Sequence, residues 1–185
     1  TFETTLESEY RSDIFGERGI LLGAVHGIAE SLYARYVSQG MAKDDAYLNT
    51  SESITGPISK SISRSGLKAV YEELDEKEKA SFRKAYNAAY HPTREILEEI
   101  YDDVASGNEV RSVIQATRRH DTYPMGKIDS TDMWVVGEEV RADSQRNYAP
   151  INPETAGTYM ACMMAQVDLL KERGHPYSEI ANESI

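Results

Sequence analysis

Apolar residues recur at three- and four-residue steps along most of this chain, the spacing that places them on one face of an α-helix. The first such segment runs from residue 13 to about residue 36. Gly40 is placed to end it, because glycine readily adopts the left-handed conformation that closes a helix. A second helical pattern covers about residues 44–63. The first third of the chain is therefore predicted to be helical.

A capping box marks the start of the third predicted helix. Asp75 is followed three residues later by Glu78, so each side chain can bond the other residue's backbone N–H. Pro92 is expected to end this helix, because proline lacks an N–H and crowds the preceding turn. Thr93 would then cap a fourth helix that ends at Gly107.

The remaining sequence predicts further helices separated by one irregular stretch. Asn108 is in position to cap a fifth helix, EVRSVIQATRR. About residues 120–153 contain three of the six prolines and little periodicity, which predicts a long irregular connection with a short extended piece at 133–136. Helix returns at Thr155, and a last helical pattern starts at PYSEIANESI. No alternation of strands and helices appears, so the predicted class is all-α.

One sequence pattern occurs twice: an apolar helix that ends in glycine, then a tyrosine, then the tripeptide ESI. The first copy has Gly40 and Tyr47, and the second has Gly174 and Tyr177. The sequence alone does not distinguish a chance match from a true duplication. A duplication would divide the chain into a first repeat of about 1–120, a connection of about 120–153 and the start of a second repeat at about 154–185.

The composition of the chain favours some classes of binding partner over others. Its 31 acidic residues against 20 lysines and arginines give a formal net charge of −11. This charge repels phosphate backbones and anionic lipids, so a cation is a better expectation than nucleic acid or a membrane. Cys162 is the one cysteine, which excludes a disulfide framework and a thiolate metal cluster. Because Thr1 is not an initiator methionine, we expect a longer parent protein.

Two pairs of carboxylates stand out by their surroundings. Asp13 and Glu17 precede the apolar run GILLGAVHGIA, and Glu179 and Glu183 alternate with isoleucine and alanine. A spacing of four residues puts both members of a pair on one helix face. About five such acid pairs would arise by chance at this composition, so spacing alone is weak support. Carboxylates beside apolar surface, however, need a partner.

Four carboxylates converging from two helices would suit hard divalent cations, above all Mg²⁺. Redox iron is disfavoured, because di-iron bundles need a Glu-x-x-His motif on each of two helices and this chain does not contain two. His26 lies inside an apolar helix, where we expect a core histidine and not a ligand. No Walker A, Gly-x-Gly-x-x-Gly or Gly-x-Ser-x-Gly motif occurs, so neither nucleotide binding nor a serine triad is expected of this chain alone.

Five blocks taken together resemble a known family. They are LESEYRSDIFGERGILLGAVHGIAESLY, ITGPISKSIS, YDDVASGNEVRSVI, PMGKID and GHPYSEIANESI. In this order they are similar to the C-terminal domain of ketol-acid reductoisomerase, in its long plant-type (class II) form. The resemblance implies a truncated multi-helix domain of the knotted, 6-phosphogluconate-dehydrogenase C-terminal-like type. An N-terminal Rossmann domain that binds NADPH would lie before Thr1.

The resemblance also implies a reaction. Family members convert 2-acetolactate or 2-aceto-2-hydroxybutyrate to 2,3-dihydroxy acids, by alkyl migration and reduction with NADPH, on the route to valine, leucine and isoleucine. Two Mg²⁺ ions assist the migration. By itself the 185-residue chain is expected to be inactive. A homodimer is expected, located in the chloroplast stroma for a plant or algal source and in the cytoplasm for a bacterial one.

Site residues follow by matching the family's motifs. The metal motif Asp-x-x-x-Glu falls on Asp13 and Glu17, and the motif Glu-x-x-x-Glu falls on Glu179 and Glu183. Glu17 and Glu183 are the implied catalytic residues among these metal ligands. Substrate-binding positions fall on the next helical turn, at Leu21 and Leu22.

Two other functions remain open on the sequence. A non-catalytic acidic interaction domain would leave all four carboxylates solvated, and a dinuclear hydrolase on a helical bundle would use the same ligands without NADPH.

Overall fold

The computed structural model of the chain describes residues 3–120, 122, 128–143 and 151–184. These residues form helices and no strand, so the all-α prediction is confirmed. No helix in this part of the chain has the length and apolarity needed to cross a bilayer.

The chain begins with one continuous helical rod. It consists of α1 (Leu6–Gly16), a π-helical segment (Glu17–Ala24) and α2 (Val25–Ser38). Thr5 caps the rod by accepting a hydrogen bond from the Ser8 backbone N–H. The predicted start at residue 13 was wrong, because the first turns are mostly polar and give little periodicity. The predicted end is confirmed, since Gly40 adopts a positive φ of 94°.

A second helical run follows in short pieces. These are α3 (Lys43–Tyr47), two π-helical segments (Leu48–Glu52 and Ile54–Ile58), α4 (Ser59–Ser65) and α5 (Leu67–Glu72). The predicted helix at about 44–63 is therefore confirmed as a helical run. Its π-helical turns were not predicted.

The longest helix is α6 (Glu76–Ala105), with 30 residues. Its capping box between Asp75 and Glu78 is confirmed. Pro92 was expected to end the helix, which was wrong: the residue lies inside α6. Thr93 consequently caps nothing, and its hydroxyl lies 3.1 Å from the Cys162 sulfur. Gly107, with a φ of 76°, separates α6 from the next helix as predicted.

Helix α7 (Asn108–Arg119) occurs where the fifth helix was predicted, but Asn108 is its first residue and makes no side-chain cap. A 3₁₀ turn (Ile128–Ser130) leads into α8 (Asp132–Ala142). The extended piece predicted at 133–136 was wrong. Thr131 caps α8 by accepting from the Trp134 N–H. The rest of the predicted irregular connection falls partly on residues 121, 123–127 and 144–150, which lie outside the described part.

Two final helices complete the described chain. Helix α9 (Pro153–Glu172) is capped by Asn152, and α10 (Tyr177–Ser184) follows it closely. Helices α6 and α9 pack along each other and form the centre of the molecule. The core around them contains fully buried apolar side chains from many elements: Phe15, Ile58, Val70, Leu97, Val104, Leu169 and Leu170.

Candidate functional site

The last helix packs against the first, although about 170 residues separate them in sequence. Glu179, in the first turn of α10, contacts residues at the start of α1. Glu183, one turn later, lies against Gly16 at the end of α1. Since Gly16 lies between Asp13 and Glu17 in sequence, α10 brings its two glutamates to the helix that contains the other predicted pair.

Glu179 is a buried carboxylate with three hydrogen-bond donors. Its side chain is 5 % exposed. Thr4 donates to Oε1, Ser8 donates to Oε2 at 2.8 Å, and the His175 Nδ1 lies 2.8 Å from the same Oε2. Burial acts to raise the pKa of Glu179, but the bonds from Thr4, His175 and Ser8 outweigh it and hold the pKa below its usual value. Glu179 is therefore held as an anion.

The surroundings of Glu183 shift its pKa in the opposite direction to that of Glu179. The residue is 8 % exposed, and burial raises the pKa of its carboxyl group. The Asn182 amide donates to Oε1 at 2.6 Å and partly offsets this rise. The negative charges of Asp13, Glu9 and Glu17 raise the pKa further. A cation placed here would relieve both the burial and the like-charge repulsion.

Asp13 and Glu17 belong to the junction between α1 and the π-helical segment. Asp13 is half-buried and Glu17 is exposed. The Glu17 N–H still bonds the Asp13 carbonyl, so the two side chains stay one turn apart on the same side of the rod. Together with Glu183 they concentrate negative charge around Gly16.

These carboxylates are not drawn into one closed coordination sphere. Among the described residues, no three His, Cys, Asp or Glu side chains are arranged to hold a metal ion. The chemistry of the donors nevertheless fits Mg²⁺, which takes one or two carboxylates and keeps several waters. Asp13, Glu17 and Glu183 provide hard oxygen donors, and the negative charges of Asp13 and Glu17 act on Glu183. Glu179 differs from them, because its two oxygens already accept three hydrogen bonds.

Glu17 also lines a cleft between the rod and α7. The cleft has a volume of about 390 Å³ and is lined by Ile14, Glu17, Arg18, Glu109, Ser112, Val113 and Ala116. Arg18 and Glu109 form an ion pair of 3.1 Å across it. An acidic group that faces a partly apolar cleft is accessible to a small molecule.

Leu21 lies on another cleft, of about 310 Å³, between the rod and α8. The leucine is 58 % exposed, and Trp134 and Met133 lie on the opposite wall. His26 lines the same cleft with its side chain 40 % exposed, so the expectation of a core histidine was wrong. The side chain of Leu22, the second predicted substrate contact, lies outside the described residues.

The sequence did not point to the groups that hold Glu179. His175 stands four residues before Glu179, but it lies outside α10, so helical periodicity did not predict their contact. The sequence Glu-x-x-His does occur once, from Glu172 to His175, but Glu172 pairs with Arg94 and not with the histidine. Tyr101, which contacts His175, comes from α6 and has no local sequence signal.

Comparison with known proteins identifies the family of this chain. The sequence profile of the family described as "Ketol-acid reductoisomerase, C-terminal domain" matches residues 6–146. The chain is 58 % identical over 192 aligned positions to the chloroplastic ketol-acid reductoisomerase of Pisum sativum, and the match covers all of this chain and 33 % of that protein. For the chloroplastic enzyme of Spinacia oleracea the identity is 56 %, covering all of this chain and 32 % of that protein.

A more distant match is the mitochondrial ketol-acid reductoisomerase of Saccharomyces cerevisiae. It is 24 % identical over 145 positions, which cover 76 % of this chain and 37 % of the yeast protein. The chain thus spans about a third of the length of these relatives. Since the family profile matches most of the sequence, the chain belongs to the ketol-acid reductoisomerase C-terminal domain family.

Proposed function

We propose that this chain is the metal- and substrate-binding helical part of an NADPH-dependent ketol-acid reductoisomerase. The reaction would convert 2-acetolactate or 2-aceto-2-hydroxybutyrate to the 2,3-dihydroxy acid, in the synthesis of branched-chain amino acids. The observation that best supports this role is that buried Glu183 lies against Gly16, which stands between Asp13 and Glu17 in sequence, and that the charges of both acids act on Glu183. Because the matched pea and spinach enzymes are named chloroplastic, we also propose the chloroplast as the location.

Four carboxylates take part in this proposal. Asp13, Glu17 and Glu183 would hold Mg²⁺, and Glu179 would join them through Oε1, which accepts only one of its three hydrogen bonds from the described residues. When bound, the ions supply Lewis-acid polarisation of the substrate oxygens. Glu17 is exposed on its cleft and can therefore exchange a proton with a bound substrate. Leu21 offers apolar surface one turn farther along the rod for an alkyl group.

NADPH would be bound mainly by parts of the protein other than this chain. The described residues include no strand, whereas the dinucleotide-binding fold needs a parallel sheet. A homodimer and the division into two repeats also stay proposals.

The alternative of a non-catalytic acidic interaction domain is disfavoured. That alternative requires four solvated carboxylates, and Glu179 and Glu183 are 5 % and 8 % exposed. Burial of two acids is costly unless they are bonded or bind a cation.

Calorimetric titration of the full chain with Mg²⁺ tests the metal site. We expect Asp13→Asn and Glu183→Gln to weaken binding by about tenfold or more, because each removes a negative oxygen ligand. Glu95→Gln is the matched control, since this acid on α6 is exposed and belongs to a charged stretch. Equal affinity in all four proteins would overturn the metal assignment.

A chimera tests the reaction. The chain would replace the segment of the pea enzyme to which it aligns over its whole length. We expect NADPH oxidation that depends on 2-acetolactate, and its loss in Asp13→Asn and Glu183→Gln but not in Glu95→Gln. A dinuclear hydrolase would give no such NADPH oxidation.

A further inference from the structure

Side chains from α1, α6 and α10, those of Ser8, Tyr101 and Glu179, meet at the imidazole of His175. The residue lies just before α10, and its side chain is 4 % exposed. Its Nδ1 lies 2.8 Å from the Glu179 Oε2, and its Nε2 lies 2.8 Å from the Tyr101 hydroxyl on α6. An ionised carboxylate can only accept, so Nδ1 bears the hydrogen. In the neutral ring, Nε2 then accepts from Tyr101.

Tyr101 is itself held firmly. It is 5 % exposed, and its ring meets Phe15 edge-on, with centroids 5.3 Å apart and an interplanar angle of 75°. The Arg173 guanidinium lies 4.8 Å from the ring centroid on another side. Burial raises the pKa of Tyr101, so its hydroxyl stays protonated and able to donate. The tyrosine can therefore fix the orientation of the imidazole.

The hydrogen bonds on Glu179 are unequally shared between its two oxygens. Oε2 accepts from both Ser8 and His175, whereas Thr4 is the one donor to Oε1 among the described residues. A carboxylate has about four lone-pair positions, so Oε1 is the oxygen with capacity left. A flip of the carboxyl group would be opposed by the contacts from α1 and from His175.

We propose that His175 and Tyr101 are positioning residues that fix the carboxylate of Glu179 for its part in the cation site around Gly16. This inference rests on the proposed function above. Metal sites commonly depend on such outer hydrogen bonds, because these bonds set the orientation of the groups closest to the ion. His175 and Tyr101 act through Glu179 and need not touch the ion.

The test measures Mg²⁺ affinity of the full chain by calorimetry. We expect His175→Ala to weaken binding about tenfold or more. His175→Asn should recover most of the affinity, because its side-chain amide nitrogen can take the place of Nδ1. Tyr101→Phe should weaken binding in the same direction and by less, since it removes only the outer bond.

Two controls separate positioning from folding. Tyr90→Phe removes a comparable 2.6 Å bond from the same helix to Asp168, and it should leave the affinity unchanged. In a Glu179→Gln background, His175→Ala should cause little further loss, because the histidine then has no carboxylate to orient. Thermal unfolding of each variant identifies any protein that fails to fold. If His175→Ala fails to fold, the Mg²⁺ affinities of His175→Asn and Tyr101→Phe still test the proposal.

The outcomes distinguish this inference from the proposed function. If the wild-type chain binds no Mg²⁺, the proposed metal role fails and this inference fails with it. If the wild type binds but His175→Ala and Tyr101→Phe bind equally well, the inference alone is overturned. It is also overturned if Tyr90→Phe weakens binding as much as Tyr101→Phe does.

Discussion

Gly16 and Glu183 are in direct contact across the packing of α1 against α10. A methyl group added at Gly16 would lie 3.0 Å from the Glu183 Oε2 and 3.1 Å from its Cβ. The carboxyl oxygen could swing aside, but the Cβ is fixed to α10. A residue larger than glycine at position 16 must therefore move one helix relative to the other, in the middle of the proposed metal site.

Gly16→Ala should weaken Mg²⁺ binding severalfold. Its backbone is right-handed helical, with φ −62° and ψ −47°, so alanine fits the local conformation and only the contact with Glu183 opposes it. Gly27→Ala is the control, because an added methyl group there meets nothing within 4 Å. That control should raise the free energy of unfolding by about 0.5–1 kcal/mol and leave Mg²⁺ affinity unchanged. Wild-type affinity in Gly16→Ala would contradict the close approach.

Gly157→Ala should loosen the central pair of helices. The new Cβ would overlap the carbonyl oxygen of Phe82 and lie 3.1 Å from both the Phe82 carbonyl carbon and the Ala85 Cβ. A helix backbone cannot yield as a flexible side chain can, so α6 and α9 must separate. We expect a loss of about 1–3 kcal/mol in urea unfolding, despite the better helix propensity of alanine. Unchanged stability would show that α9 approaches α6 less closely than described.

Local signals in the sequence predicted some helix ends and missed others, such as the start of α1 and the continuation of α6 through Pro92. The capping box of Asp75 and Glu78 and the glycines at 40 and 107 act within a few residues, so their effect is visible in the letters. Helix α8 was missed although its buried residues Met133, Val136, Gly137 and Val140 have helical spacing. The tyrosine and lysine that hold its first residue, Asp132, are about 90–100 positions away.

The candidate site was predicted only in part for the same reason. Asp13, Glu17, Glu179 and Glu183 were found by local spacing and by family resemblance. That Glu179 would accept three hydrogen bonds while Glu183 faces like charges depends on how α10 lies against α1. Contacts of this kind join residues from distant parts of the chain, and no local pattern predicts them.

Pro92→Ala should stabilise the protein. Pro92 is exposed within α6 and supplies no N–H for the helix, so alanine would restore one backbone hydrogen bond without filling buried space. We expect a gain of about 1–3 kcal/mol in the free energy of unfolding. The full cost of a proline inside a straight helix is about 3 kcal/mol, and a bend at Pro92 would reduce it. Asn87→Ala, at an exposed position on the same helix, should give less than about 1 kcal/mol. A loss of stability in Pro92→Ala would mean that the proline shapes the contact with α9.

Tyr36 should make the fold sensitive to alkaline pH. The residue is 3 % exposed, and its hydroxyl lies 3.1 Å from the Asn152 Oδ1 and 2.9 Å from the Thr155 Oγ1. Burial raises its pKa from 10.0 to about 12, against a lowering effect of the Thr155 hydrogen bond, and the Glu154 charge adds to the rise. The folded state thus keeps a proton that the unfolded chain releases between these two values.

The sign of the effect follows from this difference. Stability from the protonated Tyr36 is complete below pH 10 and declines as the pH rises towards 12, by roughly 2–3 kcal/mol in total. Urea unfolding at several pH values should therefore show a shallower decline between pH 10 and 12 for Tyr36→Phe than for the wild type. Tyr36→Phe also loses the hydrogen bonds of the hydroxyl, which lowers its free energy of unfolding by about 1 kcal/mol. This loss is measured at neutral pH, and the decline between pH 10 and 12 is compared after it has been subtracted. Parallel declines in the two proteins would show that Tyr36 ionises as readily in the folded state as in the unfolded chain.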